Sequence, residues 1–244
     1  MDKVFELDQS GTVLKEVLDH SITNATIPNS VITIGRWAFR WCSSLESVII
    51  PNSVKNIEEY AFWGCESLQE ITLPDSIKEI RKETFKNCKS LRSVFIPESV
   101  TEIGEGSFSH CTSLQSVYIP NSVKRIGAFA FSCCDSIRTI RIPSSVTELE
   151  GCCFTCCDSL ESVYLPESVK KIGSSAFQKC KSLRTINIPP SITEIDGWLL
   201  SGCCSLQSII IPESVTSIAY GAFENCNSLE SVTLPNSLKE ISSS

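Results

Sequence analysis

A solenoid of short parallel β-strands and turns, with few short helical turns, is predicted for this 244-residue chain by three observations. Prolines recur every 23 residues: Pro28, Pro51, Pro74, Pro97, Pro120, Pro143, Pro166, Pro189, Pro212 and Pro235, with Pro190 alone outside the series. Counted from that proline, position 12 is Phe in every full copy except for Leu200, and position 15 is Cys in all nine. Positions 18, 21 and 23 form an LxxVxI pattern of aliphatic residues. A fixed period of about 20–29 residues marks an array, because one such unit cannot bury its apolar face alone and must stack on its neighbours.

Each element follows in chain order. Val4-Phe5-Glu6-Leu7, the turn Asp8-Gln9-Ser10-Gly11 and Thr12 to Val17 read as a hairpin that shields the first repeat strand, Ile22 to Ile27. Residues 1–27 are therefore a hairpin cap and half-repeat, 28–234 nine full repeats, and 235–244 an incomplete copy. Within a repeat, positions 21 and 23 alternate as one face of a strand does, and the next proline ends that strand because it cannot donate to a ladder. Positions 4 and 7 predict a second short extended piece. A small residue at 11, Phe at 12 and Cys at 15 have helix-like spacing, which predicts a helical or 3₁₀ turn there. Serines fixed at positions 3 and 17 flank the corners, where hydroxyls can satisfy backbone groups that a tight coil buries. The last copy stops at Ile241, its position 7, before Ser242-Ser243-Ser244. An open strand edge is a pairing hazard, so either the chain is a piece of a longer protein or this edge makes an end-to-end contact.

Composition narrows the function. Hydrophobic residues make up 42% and charged ones 20%, enough for a core. A net charge of −7 argues against nucleic acid as partner. No apolar run reaches the 18 or so residues of a membrane span, and the opening residues lack a signal-peptide apolar stretch. Only His20 and His110 are present, neither in a nucleophile–carboxylate constellation, and no phosphate-binding glycine motif occurs, so an enzyme is not expected.

The 14 cysteines invite a disulfide or metal reading, and position argues against both. Nine share position 15 and read as a buried column. Cβ atoms one turn apart would stand about 4.8 Å apart, wider than the roughly 3.8 Å of a disulfide. Five others are Cys133, Cys152, Cys153, Cys156 and Cys204. His110, Cys133 and Cys156 share position 14 of consecutive repeats, yet the outer two would lie about 10 Å apart, too far to share one zinc ion. Neither a metal nor any other cofactor is expected, and so many unpaired thiols favour a reducing compartment.

The run IPNSVTxIGxxAFxxCxSLxSV, as from Ile211 to Ser231 with Phe223 and Cys226, resembles the BspA-like subclass of leucine-rich repeats over residues 21 to 241. The resemblance implies a leucine-rich-repeat solenoid, curved and horseshoe-like, with a parallel sheet on one face. It also implies a role in adhesion or protein binding at a cell surface.

The sheet face is where a ligand would sit. Positions 20 and 22 point away from the core; position 20 is Ser or Thr in every copy but that of Glu70, and position 22 varies most. Position 22 supplies Phe95, Tyr118, Arg141 and Tyr164, and position 19 adds Arg92, Arg138 and Arg184. Aromatic residues and Arg are the types most enriched at binding hot spots, so these seven are the candidate partner-binding patch, for a protein or glycan ligand. Stacking that only stabilises the sheet is the competing reading of the same aromatics. Trp37, Tyr60, Trp41 and Trp63 form a second cluster, expected to pack on the hairpin. The functional expectation is a non-enzymatic binding and adhesion solenoid, with an intracellular assembly scaffold as the alternative.

Overall fold

The computed structural model describes residues 4–242; Met1–Lys3 of the predicted cap and Ser243–Ser244 of the incomplete repeat lie outside the described residues. One repeat makes one turn of a coil, and each turn contributes two short strands. The longer series, at positions 20–22, runs from Asn24–Thr26 through Ser93–Phe95, Ser116–Tyr118 and Thr139–Arg141 to Ser231–Thr233. The shorter series, at positions 6–7, runs from Thr33–Ile34 to Glu240–Ile241. Pairing is parallel and in register with the period, so that Ser93, Val94 and Phe95 face Ser116, Val117 and Tyr118. The hairpin differs: Phe5–Leu7 is antiparallel to Val13–Val17, which then continues the shorter series by pairing with Thr33–Ile34. The Asp8 carboxylate fixes its turn, accepting bonds from the Thr12 and Val13 N–H groups at 2.9 Å each and from the Ser10 hydroxyl at 2.6 Å. These donors favour the ionised form and hold the Asp8 pKa down at about 2.

The third side of each turn departs from the helical turn that its spacing predicts. There is no helix among the described residues. Positions 10 and 14 have positive φ in every full repeat, whether the residue is Gly, as Gly64 (78°) and Gly106 (57°), or bulky, as Trp37 (62°) and Lys179 (59°). A helix needs an unbroken run of negative φ, so two left-handed residues four apart exclude one. They turn alternate N–H groups along the solenoid instead. The N–H groups of Phe129, Phe131 and Cys133 donate to the carbonyls of Gly151, Cys153 and Thr155 in the following turn, at 3.1, 2.8 and 2.8 Å. This side is thus a third backbone ladder, assembled from turns.

Between the ladders the fixed positions form columns. Phe62, Phe85, Phe108, Phe131, Phe154 and Phe177 are buried and stacked, with neighbouring ring centroids 5.3–5.6 Å apart. Phe5 from the hairpin closes the column against Phe39 at 6.2 Å. The position-15 thiols do more than fill space. Each S–H from Cys65 to Cys203 donates to the position-12 carbonyl of the preceding turn, for example Cys134 to Phe108 at 3.2 Å and Cys65 to Phe39 at 3.1 Å. Burial lifts their pKa values, which keeps the proton on sulfur and the donor in place. The position-3 serines do the same at another corner, as Ser53 to the Val31 carbonyl at 2.8 Å and Ser168 to Val146 at 2.9 Å. The position-17 serines contribute mainly through their backbone, with the Ser136 hydroxyl bonding the Thr112 carbonyl at 2.7 Å.

Stacking in register sets residue i over residue i+23, so like charges in one column would repel. In several columns the signs alternate instead, as in Glu66–Lys89 (2.8 Å), Lys82–Glu105 (2.9 Å), Arg138–Glu161 (2.7 Å) and Asp158–Lys181 (2.7 Å), although Glu79 faces Glu102. These pairs are exposed and each is worth at most about 1 kcal/mol, so they select register more than they add stability. Toward the carboxy-terminal end the columns surface: Phe223 and Cys226 are half-buried and Val232, Leu234 and Ile241 exposed.

Two outcomes are expected. Cys134→Ala removes a thiol from a close-packed column and leaves the Phe108 carbonyl without its donor, which should cost about 2 kcal/mol in chemical denaturation. A thiol reagent at neutral pH should label the half-buried Cys133, Cys152, Cys156, Cys204 and Cys226 first, and the nine buried cysteines only on unfolding.

Candidate interaction face

The longer strand series carries a core side and a solvent side, as its alternation demands. Val94, Ile140 and Val163 point inward, while Phe95, Tyr118 and Tyr164 are 59%, 50% and 54% exposed. Arg92, Arg138, Arg141 and Arg184 are exposed as well. All seven residues singled out by sequence therefore lie on the exposed side, but they are not one continuous surface. Phe95 and Tyr118 stack with centroids 5.8 Å apart and planes inclined by 8°. The Arg141 guanidinium lies 5.3 Å from the ring centre of Tyr164 on the next turn. Arg138 is engaged by Glu161. Arg92, Arg141 and Arg184 have no carboxylate within ion-pair distance among the described residues.

The division comes from the ladder itself. Pairing in the longer series is interrupted three times: between Ser47–Ile49 and Glu70–Thr72, between Ser116–Tyr118 and Thr139–Arg141, and between Thr185–Ile186 and Ser208–Ile210. A cleft opens at each interruption. The first, about 330 Å³, is lined by Glu46 and Glu70 as well as Arg92. The second, about 290 Å³, is lined by Val117, Tyr118, Ile119, Asn121, Arg141 and Pro143. The third, about 470 Å³, is mostly apolar, with Ile186, Ile188, Ile209 and Ile210 beside Asn187. Its origin is visible in Asn187, whose side-chain amide takes both the N–H (3.0 Å) and the carbonyl (2.7 Å) of Leu165, leaving that strand two residues long. At the second cleft the serine ladder breaks too. Ser122, next in the chain to Asn121, has a buried hydroxyl with no hydrogen-bond partner. Beside it the Tyr118 hydroxyl donates to Glu98 at 3.1 Å, and that bond holds the phenol pKa above its ordinary value.

The residues of the amino-terminal aromatic cluster pack on one another. Trp37 meets Tyr60 at 5.8 Å and Trp41 meets Trp63 at 5.1 Å, with the Arg36 guanidinium 4.5 Å from Trp37 and that of Arg40 4.8 Å from Trp63. The aromatic contact from the hairpin is made by Phe5, on Phe39. Trp37, Trp41 and Tyr60 occupy left-handed positions, where a bulky side chain is strained. His110, Cys133 and Cys156 also lie on this ridge at position 14, and burial raises the Cys133 pKa, the opposite of what a reactive thiolate needs. Among the described residues no three His, Cys, Asp or Glu side chains gather to hold a metal. No helix among them is long and apolar enough to cross a membrane.

With the coil and its face in view, comparison with known proteins is decisive for family. The BspA type leucine rich repeat region matches residues 18–128, 78–203 and 200–244. The chain belongs to the BspA-type leucine-rich repeat family. A solved leucine-rich cell surface protein from Faecalibacterium prausnitzii is 27% identical, over 98% of this chain and 92% of that one, with a TM-score of 0.51. A leucine-rich repeat protein from Eubacterium ventriosum is 21% identical over 96% of this chain and 87% of that one, with a TM-score of 0.57. The pneumococcal vaccine antigen PcpA is 17% identical over 96% of this chain and 71% of that one, with a TM-score of 0.60. At those identities the last two share the fold alone. The search of curated proteins finds no match.

The ridge geometry generates its own test. At Gly64 (φ 78°) an added Cβ would stand 2.4 Å from the Trp41 ring. Gly64→Ala should therefore cost roughly 1–3 kcal/mol and, by displacing Trp41, change the tryptophan emission of the folded protein.

Proposed function

We propose that this BspA-type repeat protein is a non-enzymatic binding solenoid that presents the solvent side of its longer strand series to a protein or glycan, in an adhesive role at a cell surface. One observation carries the reading: exposed aromatic rings and the unpaired Arg141 are held by in-register strands on either side of a cleft in the middle of the face. Parallel strands fix each ring with little conformational freedom left to lose, so a ligand would order few side chains on binding. Likeness to a cell surface protein at 27% identity supports the location. Dispersed histidines and thiols of raised pKa support binding over catalysis. Fourteen unpaired cysteines favour a second reading, an intracellular assembly scaffold.

Tyr118, Arg141 and Tyr164 point to solvent, so changing all three to Ser should leave the unfolding midpoint nearly unchanged while partner affinity falls at least tenfold in a pull-down titration against the intact array. Undiminished capture would place the binding surface elsewhere. Alkylation of freshly isolated protein separates the two readings, since oxidised or capped thiols favour the outside of the cell and fully reduced ones the scaffold.

A further inference from the structure

We infer that the middle cleft of the face is a subsite for a carboxylated sugar of an acidic glycan, with Arg141 as its carboxylate-binding group. The inference rests on the binding reading above and narrows it to one ligand chemistry. Of the three clefts it is the one lined by a cation and no carboxylate; the first has Glu46 and Glu70 beside Arg92, and the third no charge. Eight basic side chains elsewhere on the solenoid, Arg125 and Arg138 among them, pair with a carboxylate one turn away, whereas Arg141 pairs with none among the described residues. Its guanidinium is braced against the Tyr164 ring, which orients the planar fork while leaving N–H groups to reach a carboxylate in two-point fashion.

The surroundings suit a sugar better than a peptide. The exposed ring of Tyr118, stacked on Phe95 with planes inclined by 8°, walls one side of the cleft as a platform for the C–H face of a pyranose, and Arg141, over the Tyr164 ring, walls the other. A row of small hydroxyls, Ser93, Ser116, Thr139, Ser162 and Thr185, passes beside them, matched to the hydroxyl rim of a sugar chain. Asn121 adds an amide at the cleft wall, and next to it the Ser122 hydroxyl is buried without a partner. A protein partner would instead be anchored by side chains buried in well-packed, desolvated pockets. Against the anion stands one neighbouring charge, Glu98, held by the Tyr118 hydroxyl. That opposition supplies a control with a defined sign.

The experiment is calorimetric titration of the protein with two probe pairs: a hexuronate-containing octasaccharide and a sialylated trisaccharide, each against its carboxyl-reduced counterpart. At least one carboxylated probe should bind, and its reduced form should bind at least tenfold more weakly. Arg141→Gln should lose at least tenfold in affinity for the carboxylated form only, Glu98→Gln should tighten it, and Lys179→Ser on the turn ridge should leave it unchanged. Each variant's thermal unfolding confirms that the fold is kept. Equal binding of both members of a pair, with dependence on Tyr118 and Tyr164, would overturn the carboxylate subsite while leaving the binding face intact. Binding indifferent to Arg141→Gln, or no binding of any probe at millimolar concentration, would overturn it outright. Loss of partner capture by the triple serine variant in that last case keeps the broader reading alive.

Discussion

Through most of the repeats each residue rests on the residue 23 positions earlier in the chain. That constraint comes from the backbone: three sides of each turn hand hydrogen bonds to the next turn, two through strands and one through alternating N–H groups of left-handed turns. Once the ladders are in register the side chains have no freedom to choose neighbours. Phenylalanine meets phenylalanine, thiol follows thiol, and a charge meets whatever the next copy places there. The alternating ion pairs, such as Glu66–Lys89 and Asp158–Lys181, are the charged residues' answer to this condition.

The same constraint explains why cysteine fills position 15. A buried corner carbonyl at position 12 needs a donor from the next turn, and the space is small and apolar. A thiol meets both demands, as a weak donor with little desolvation cost. Its raised pKa is a consequence of that burial and keeps the donor protonated. Serine at position 3 solves the matching problem at a wetter corner, where a hydroxyl is affordable. Neither column is chemistry in waiting; each closes backbone groups that the coil would otherwise leave unpaired.

Function belongs to the places where register is locally relaxed. The face ladder opens three times, and each opening is a cleft between turns that otherwise pack at strand spacing. In the middle one, Tyr118 and Arg141 would be stacked neighbours in a perfect array; the interruption separates them and leaves a gap between two rigid half-platforms. A family match over most of the chain assigns the scaffold, and the side chains around these openings distinguish this copy of it.

The columns were legible in the sequence because a 23-residue period leaves buried positions no room to vary: proline, serine, phenylalanine and cysteine announce the turn, the core and the solvent face, with Phe95, Tyr118, Arg141 and Tyr164 on it. The left-handed ridge was half legible, since Gly64, Asn87, Gly106, Gly202, Gly221 and Asn225 recur at positions 10 and 14, but Trp37 and Lys179 at the same positions hid the signal behind a helix-like spacing. Nothing in the pattern foretold where pairing would lapse, that Arg138 would be tied to Glu161 while Arg141 stayed free, or that Asn121, Ser122 and Glu98 would border the cleft. Periodicity fixes what every turn shares, through hydrogen bonds that are the same in each copy. Where turns separate depends on differences between neighbouring copies, such as the Asn187 amide taking over a backbone bond, and those act only once the coils are stacked in space.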